Sequence, residues 1–284
     1  HTCEGGHGPP AGGAAMRGAS RGSFIVAREQ LTATLADGAD PAVLGEELFE
    51  VTHLLDQELG VRRALTDATS PAEARSGLVR RLLDGRVSPP TADLISGMAG
   101  NRWSSPRDLA DAVEQLAVLA TAAAAERDGQ LDDLEDELFR FGRILGAEPA
   151  LRSALEDQGP DEGKRSLLDA LLAAKVSPAT LRLITEAVIY PRGRNLETTL
   201  DEYGRLTAAW RQRLIAVVRV ATGLTEDQRG RLAAALSQTY GHDVHLNVVV
   251  DPKVVGGISV QIGDEFIDGS VASRLAQLRQ RLAS

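Results

Sequence analysis

The chain repeats itself at long range. Leu44-Gly-Glu-Glu-Leu-Phe returns 90 residues later as Leu134-Glu-Asp-Glu-Leu-Phe, with 9 identities across the 22 positions 44–65. The match resumes at Leu78 against Leu167, now 89 residues apart. It runs through Val87-Ser88-Pro89 and Val176-Ser177-Pro178 to Ile95 and Ile184, with 9 identities in 18 positions. One residue lost from the intervening loop accounts for the changed offset. Solenoid repeats have periods of roughly 20–50 residues, so this spacing marks a duplicated subdomain.

The repeat carries a helical pattern. Leu44, Leu48, Val51 and Leu55 fall at i, i+4, i+7 and i+11, and Leu134, Leu138, Phe141 and Leu145 keep the same spacing. Each set is one buried stripe of an amphipathic helix. Ser88 and Ser177 each precede a Pro that opens a helical pattern, the arrangement of an N-cap with Pro at the first helical position. Gly60, Gly85, Gly146 and Gly159 fall between periodic segments, as helix stops or loops. The pattern predicts helices near 22–37, 40–57, 60–66, 71–84, 88–100 and 104–129. A second set follows near 131–146, 148–156, 163–174, 177–189 and 194–212. The second set lacks a counterpart to 22–37. Either segment 104–129 serves both copies, or the second copy leaves a groove open to a partner's helix.

Composition narrows the function classes. The chain has 284 residues and a formal charge of −9, with no basic block. Phosphate neutralisation needs clustered Lys and Arg, so nucleic-acid binding is not expected. The single cysteine, Cys3, fits a reducing compartment. No run of 18 apolar residues occurs, so any membrane association must go through a partner rather than by insertion. Residues 1–21, rich in Gly, Pro and Ala, read as a flexible leader. Met16 within it is a natural start, which would make the residues before it an addition. His1, Cys3 and His7 lack the fourth ligand that a structural zinc site demands.

After Trp210 the pattern turns to strands. Ile215, Val217, Val218 and Val220 suit a buried strand. Thr225 with Gln228 forms a capping-box pattern that opens a helix. Leu246, Val248 and Val250 then alternate with His245, Asn247 and Val249, and Ile258, Val260 and Ile262 with Ser259 and Gln261. Gly263-Asp264 turns the chain into a last strand over 265–267. A final helix follows with the stripe Val271, Leu275, Leu278 and Leu282 and an opposite face of Arg274, Arg279 and Arg281. The fold class is therefore mainly α with a C-terminal α+β domain. It comprises a helical bundle over 22–129, a partial second copy over 130–212, and a small mixed sheet with two helices over 213–284.

The stretch Val250-Asp251-Pro252-Lys253-Val254-Val255-Gly256-Gly257-Ile258, then Ile262-Gly263-Asp264-Glu265-Phe266-Ile267-Asp268-Gly269-Ser270-Val271 and Arg274-Leu275, resembles the C-terminal signature of the ATP synthase delta family. The mitochondrial relative of that family is the oligomycin-sensitivity-conferring protein. The resemblance covers about residues 20–284, and the extra helical copy is similar to the enlarged actinobacterial form. It implies a non-catalytic stator subunit on the cytoplasmic face of the cell membrane, with no cofactor. Its bundle would grip the N-terminal helices of the alpha subunits, and its C-terminal domain would hold the stalk's b subunit. The family's grip uses the first and fifth bundle helices. The resemblance places it here at Phe24, Ile25 and Leu31 and at Leu94, Ile95 and Met98, with Leu183, Ile184 and Val188 as second-copy counterparts. Gly256, Gly257, Arg274, Leu275 and Leu278 would serve the stalk contact. Apolar stripes more often face the core, which is the plainer reading of each helical residue.

No set of groups converges for catalysis. Gly256-Gly257 lacks the spacing of a phosphate loop. His242 and His245 lack a third ligand by sequence, and His53, whose repeat counterpart is Arg143, reads as solvated. Trp103 and Trp210 read as packing anchors. The alternative to a stator is a helical adaptor with a dimerising α+β domain.

Overall fold

A computed structural model describes residues 16, 18–157, 159–212, 215–240, 244–251, 257–262 and 265–268. The first helical set is α1 (Ala19–Ala36), α2 (Pro41–Gln57), α3 (Leu59–Thr66), α4 (Ala72–Leu83), α5 (Pro89–Gly100) and α6 (Pro106–Arg127). The second is α7 (Leu131–Ala147), α8 (Pro149–Glu156), α9 (Asp161–Leu172), α10 (Pro178–Ile189) and α11 (Leu196–Gln212). Each helix expected in these two sets is present. Gly85 sits at φ 68° after α4, a conformation that L side chains rarely adopt. Gly60 and Gly146 do not stop helices, because they lie inside the first turn of α3 and the last turn of α7.

The expected N-caps are built differently in the two copies. Ser177 Oγ accepts from Thr180 N at 3.3 Å, as a cap should. Ser88 makes no such bond. Its N–H and Oγ both donate to Glu47 of α2, at 2.8 and 2.6 Å, and Thr91 Oγ1 donates to the same carboxylate. Glu137 of α7 repeats the device by accepting from Ser177 N at 2.9 Å and Thr180 Oγ1 at 2.6 Å. The duplication thus preserves a buried polar tie from the second bundle helix to the fifth. Glu47→Ala should cost about 1–3 kcal/mol, the penalty for leaving partly buried donors without an acceptor. Glu137→Ala should cost a similar amount, and urea melts of both variants would check it.

Helix α6 serves both copies. The two helix ends match at a shift of 91 residues: Asp37, Gly38 and Ala39 donate to Ala33, Leu35 and Thr34 as Asp128, Gly129 and Gln130 donate to Ala124, Glu126 and Ala125. In that register the inward positions Ser20, Ser23, Ala27 and Leu31 of α1 become Asp111, Glu114, Val118 and Ala122 of α6, of which the last three are buried. α1 packs on α5 and α6, and α6 in turn packs on α10 and α11. The helix missing from the second set is therefore supplied by the last helix of the first. One apolar cluster accordingly runs through both copies, from Ala27 to Trp210. Trp103 and Trp210 anchor it as expected, donating Nε1–H to Met98 O at 2.8 Å and to Glu126 Oε2 at 2.7 Å.

The C-terminal part has its own apolar cluster. It consists of β1 (Ile215–Val220), α12 (Glu226–Tyr240), β2 (His245–Val250), β3 (Ile258–Ile262) and β4 (Glu265–Asp268). Sheet order is β2-β1-β3-β4, with β1 and β2 parallel and the other pairs antiparallel. The parallel pair needs a crossover, and α12 provides it. The capping box at its start is reciprocal: Thr225 N donates to Gln228 Oε1 (2.9 Å) and Gln228 N to Thr225 Oγ1 (3.3 Å). β2 is an edge strand, which leaves Val249 and Val250 exposed and breaks the expected inward alternation at Val250. The expected final helix, with Arg274, Leu275 and Leu278, lies outside the described residues, as do Gly256, His242, His1, Cys3 and His7. Gly257, at φ 86°, is exposed beside β3.

Candidate docking surfaces

Most of the apolar residues expected to grip a partner are core. Leu31, Leu94, Met98, Leu183 and Ile184 have no exposed surface, and Ile95 and Val188 are almost as buried. The periodicity that marks them is the stripe facing inward, so it reports packing rather than contact with a partner. Phe24 is half-buried, while Ile25 and its neighbour Val26 are 41% and 49% exposed.

The inward face of α1 explains why Ile25 and Val26 stand outside. It is built from the small residues Ser20, Ser23 and Ala27 before Leu31, which lets the helix sit close to its neighbours. Ser20 Oγ donates to Asp108 Oδ2 at 2.6 Å, and Ser23 Oγ to Arg102 O at 2.5 Å. A Cβ at Gly97 of α5 would lie 2.5 Å from the Gln30 amide, so α1 also presses against α5. Ile25 and Val26 lie off the small-residue phase and point outward, while Phe24 packs partly against the core. Gly22 on the same side has nothing within 4 Å of its would-be Cβ, which leaves room for a close approach.

A buried charge network ties α6 to the second copy. Its centre is Glu114 on α6, the counterpart of inward Ser23, whose side chain is 2% exposed. Arg192, from the loop between α10 and α11, pairs with Glu114, with Asp56 of α2, and with Asp111 at 2.9 Å. Arg194 pairs with Glu114 and, at 2.8 Å, with Glu202. Tyr203 completes the set by donating its hydroxyl to Glu114 at 2.7 Å. Burial opposes the Arg192 charge, but Glu114, Asp56 and Asp111 outweigh it and push the guanidinium above its ordinary range. Burial, reinforced by Glu114, likewise holds the Tyr203 phenol well above its ordinary value. Asp111 is raised by burial despite Arg192 and Arg107. Arg192 takes a left-handed φ of 52° to reach the cluster. No pattern in the sequence marks this network, because its members have no period and two of them lie in a loop.

His53 also departs from expectation. Its Nε2 lies 2.5 Å from Glu186 Oε1, and its ring stacks on Tyr190 at 3.6 Å. It is a tie between α2 and α10, not a solvated residue. Arg182 extends the tie by binding Glu186 at 2.8 Å and Glu46 at 2.6 Å and lying over the Phe49 ring. Among the described residues no group of three His, Cys, Asp or Glu is placed to hold a metal ion. No helix there is long and apolar enough to cross a membrane. The buried charges are paired with one another across packed helices, an arrangement suited to holding helices together.

A protein-family profile described as "ATP synthase delta (OSCP) subunit" matches residues 117–282. The ATP synthase subunit delta of Streptomyces avermitilis is 49% identical over 94% of this chain and 98% of its own length. That of Thermobifida fusca is 49% identical over 94% of this chain and 100% of its own. A chain of the Toxoplasma gondii mitochondrial ATP synthase hexamer aligns over 59% of this chain and 97% of that chain, at 18% identity and a TM-score of 0.32. The chain belongs to the ATP synthase delta (OSCP) subunit family, and it is a non-catalytic part of the peripheral stalk of that membrane-bound complex.

Proposed function

We propose that this subunit ties the catalytic head to the stalk by gripping alpha-subunit N-terminal helices with its helical part and the b subunit with its C-terminal domain, at the cytoplasmic face of the membrane. The observation that carries this reading is the pair of exposed apolar side chains, Ile25 and Val26, on a helix whose other faces are packed. Isolated exposed apolar residues are ordinary. Two adjacent ones beside half-buried Phe24 and open Gly22 form a surface on which an amphipathic helix can lie. A stator contact must survive rotor torque. A nanomolar dissociation constant, about 12 kcal/mol, asks for a few desolvated apolar anchors rather than a rim of ion pairs.

The stalk contact is assigned to the C-terminal part on its sequence signature, including Gly256, Gly257, Arg274, Leu275 and Leu278. Edge strand β2, with Val249 and Val250 exposed, offers a further apolar strip there. Deleting residues 271–284 should release the b subunit while the helical part still binds the head. A pull-down with tagged chain checks this, and full retention of b by the truncated chain would contradict it.

A further inference from the structure

We infer that each chain offers one docking position for a partner helix, the outer face of α1, and that the equivalent face in the second copy is closed by the chain's own α2. This rests on the helix-gripping reading above and adds which copy does the gripping and how many partners one chain can hold. It also runs against the simplest transfer from the family, whose profile matches residues 117–282 and so aligns with the second copy.

The duplication supplies the template. In the second copy the position of the first bundle helix belongs to α6, and a helix already lies on its outer side. A Cβ at Gly45 of α2 would stand 3.0 Å from Thr121 Oγ1 and 3.5 Å from Ala117 O, so the two backbones are in close contact there. Shifted back by 91 residues, Thr121 and Ala117 correspond to Gln30 and Val26 of α1, and Leu116 to Ile25. Ala117 and Leu116 have no exposed surface, whereas on α1 this face is half-covered at Gln30 and open at Ile25 and Val26. What α2 does for α6, an outside helix would do for α1. The chain thus shows the class of occupant such a face accepts, a helix approaching over small residues. In the second copy α2 covers this face, so no partner helix can lie there.

The test is calorimetry of the full chain with a synthetic peptide of the alpha subunit's N-terminal helix. The wild type should bind one peptide per chain. Ile25→Asp combined with Val26→Asp should weaken binding at least about 30-fold, the loss expected when apolar anchors are replaced by charge. Its melting curve should stay unchanged, since both positions are exposed. Thr185→Asp, on the second copy's α10, should leave affinity within about two-fold, because surface positions outside an interface carry little binding energy. Two peptides per chain, or undiminished binding by the doubly substituted α1 variant, would overturn the inference and leave the stator reading standing. No binding by the wild type would overturn the gripping role itself, and the inference with it.

Discussion

Leu94→Asp should abolish the cooperative melt of the helical part. Leu94 has no exposed surface and sits in the apolar cluster on α5, which packs chiefly on α4 and α1. A carboxylate there has no cation within its apolar surroundings, so it must either stay protonated or drag water inward. The cost is about 5 kcal/mol or more, comparable with the whole stability of a domain. Leu183→Asp should do the same through the shared cluster. Circular dichroism melts and gel filtration would show lost helicity or aggregation. A variant that melts like the wild type but loses only partner affinity would mean that Leu94 faces a docking groove after all.

Arg192→Ala should destabilise the chain by about 3–5 kcal/mol, the range found when one partner of a buried ion pair is removed. Three carboxylates from two helices converge on this guanidinium. Without it, Glu114 keeps Arg194 and the Tyr203 hydroxyl, while Asp56 and Asp111 lose a buried cation. At roughly 2–4 °C per kcal/mol for a chain of this size, the melting midpoint should fall by about 10 °C. Arg192→Lys should recover only part of that, since an ammonium cannot present the planar fork that spans three acids. Replacing Arg192 and Glu114 together by Met and Gln should cost less than the sum of the single changes. A simple sum in the double-mutant cycle would show that the two groups do not interact.

The helices were legible because their stabilisation comes from apolar stripes, which write a period of 3.6 into the sequence. The duplication was legible for the same reason: Leu44 to Leu55 and Leu134 to Leu145 repeat the stripe as well as the letters. The sharing of α6 was less visible. The inward residues of α1 are Ser20, Ser23, Ala27 and Leu31, and their counterparts on α6 are Asp111, Glu114, Val118 and Ala122, so no identity survives to align. The packing, and the repeated helix end at Asp37-Gly38 and Asp128-Gly129, reveal the correspondence.

The docking residues were hardest to read, because periodicity finds what is buried. The resemblance placed the grip at Leu31, Leu94, Ile95, Met98, Leu183, Ile184 and Val188 as well as at Phe24 and Ile25, and the first seven are buried side chains. The usable signal was the opposite one, bulky apolar residues out of phase with a stripe of small residues, as at Ile25 and Val26. The Arg192 cluster left no pattern at all. Charges become structural only when distant segments meet, and residues 56, 111, 114 and 192 meet through the fold alone. His53 shows the same limit. Its repeat partner Arg143 suggested a solvated position, yet Glu186 and Tyr190 of the second copy enclose it.

The most direct test of a stator connector is reconstitution. Membranes that keep the proton-translocating sector and the b stalk, stripped of the catalytic head and of this subunit, should rebind purified head only after the wild-type chain is added back. The chain carrying Asp at both 25 and 26 should fail to restore it while still binding the stalk. Rebinding of the head to the same extent without the chain would contradict the account.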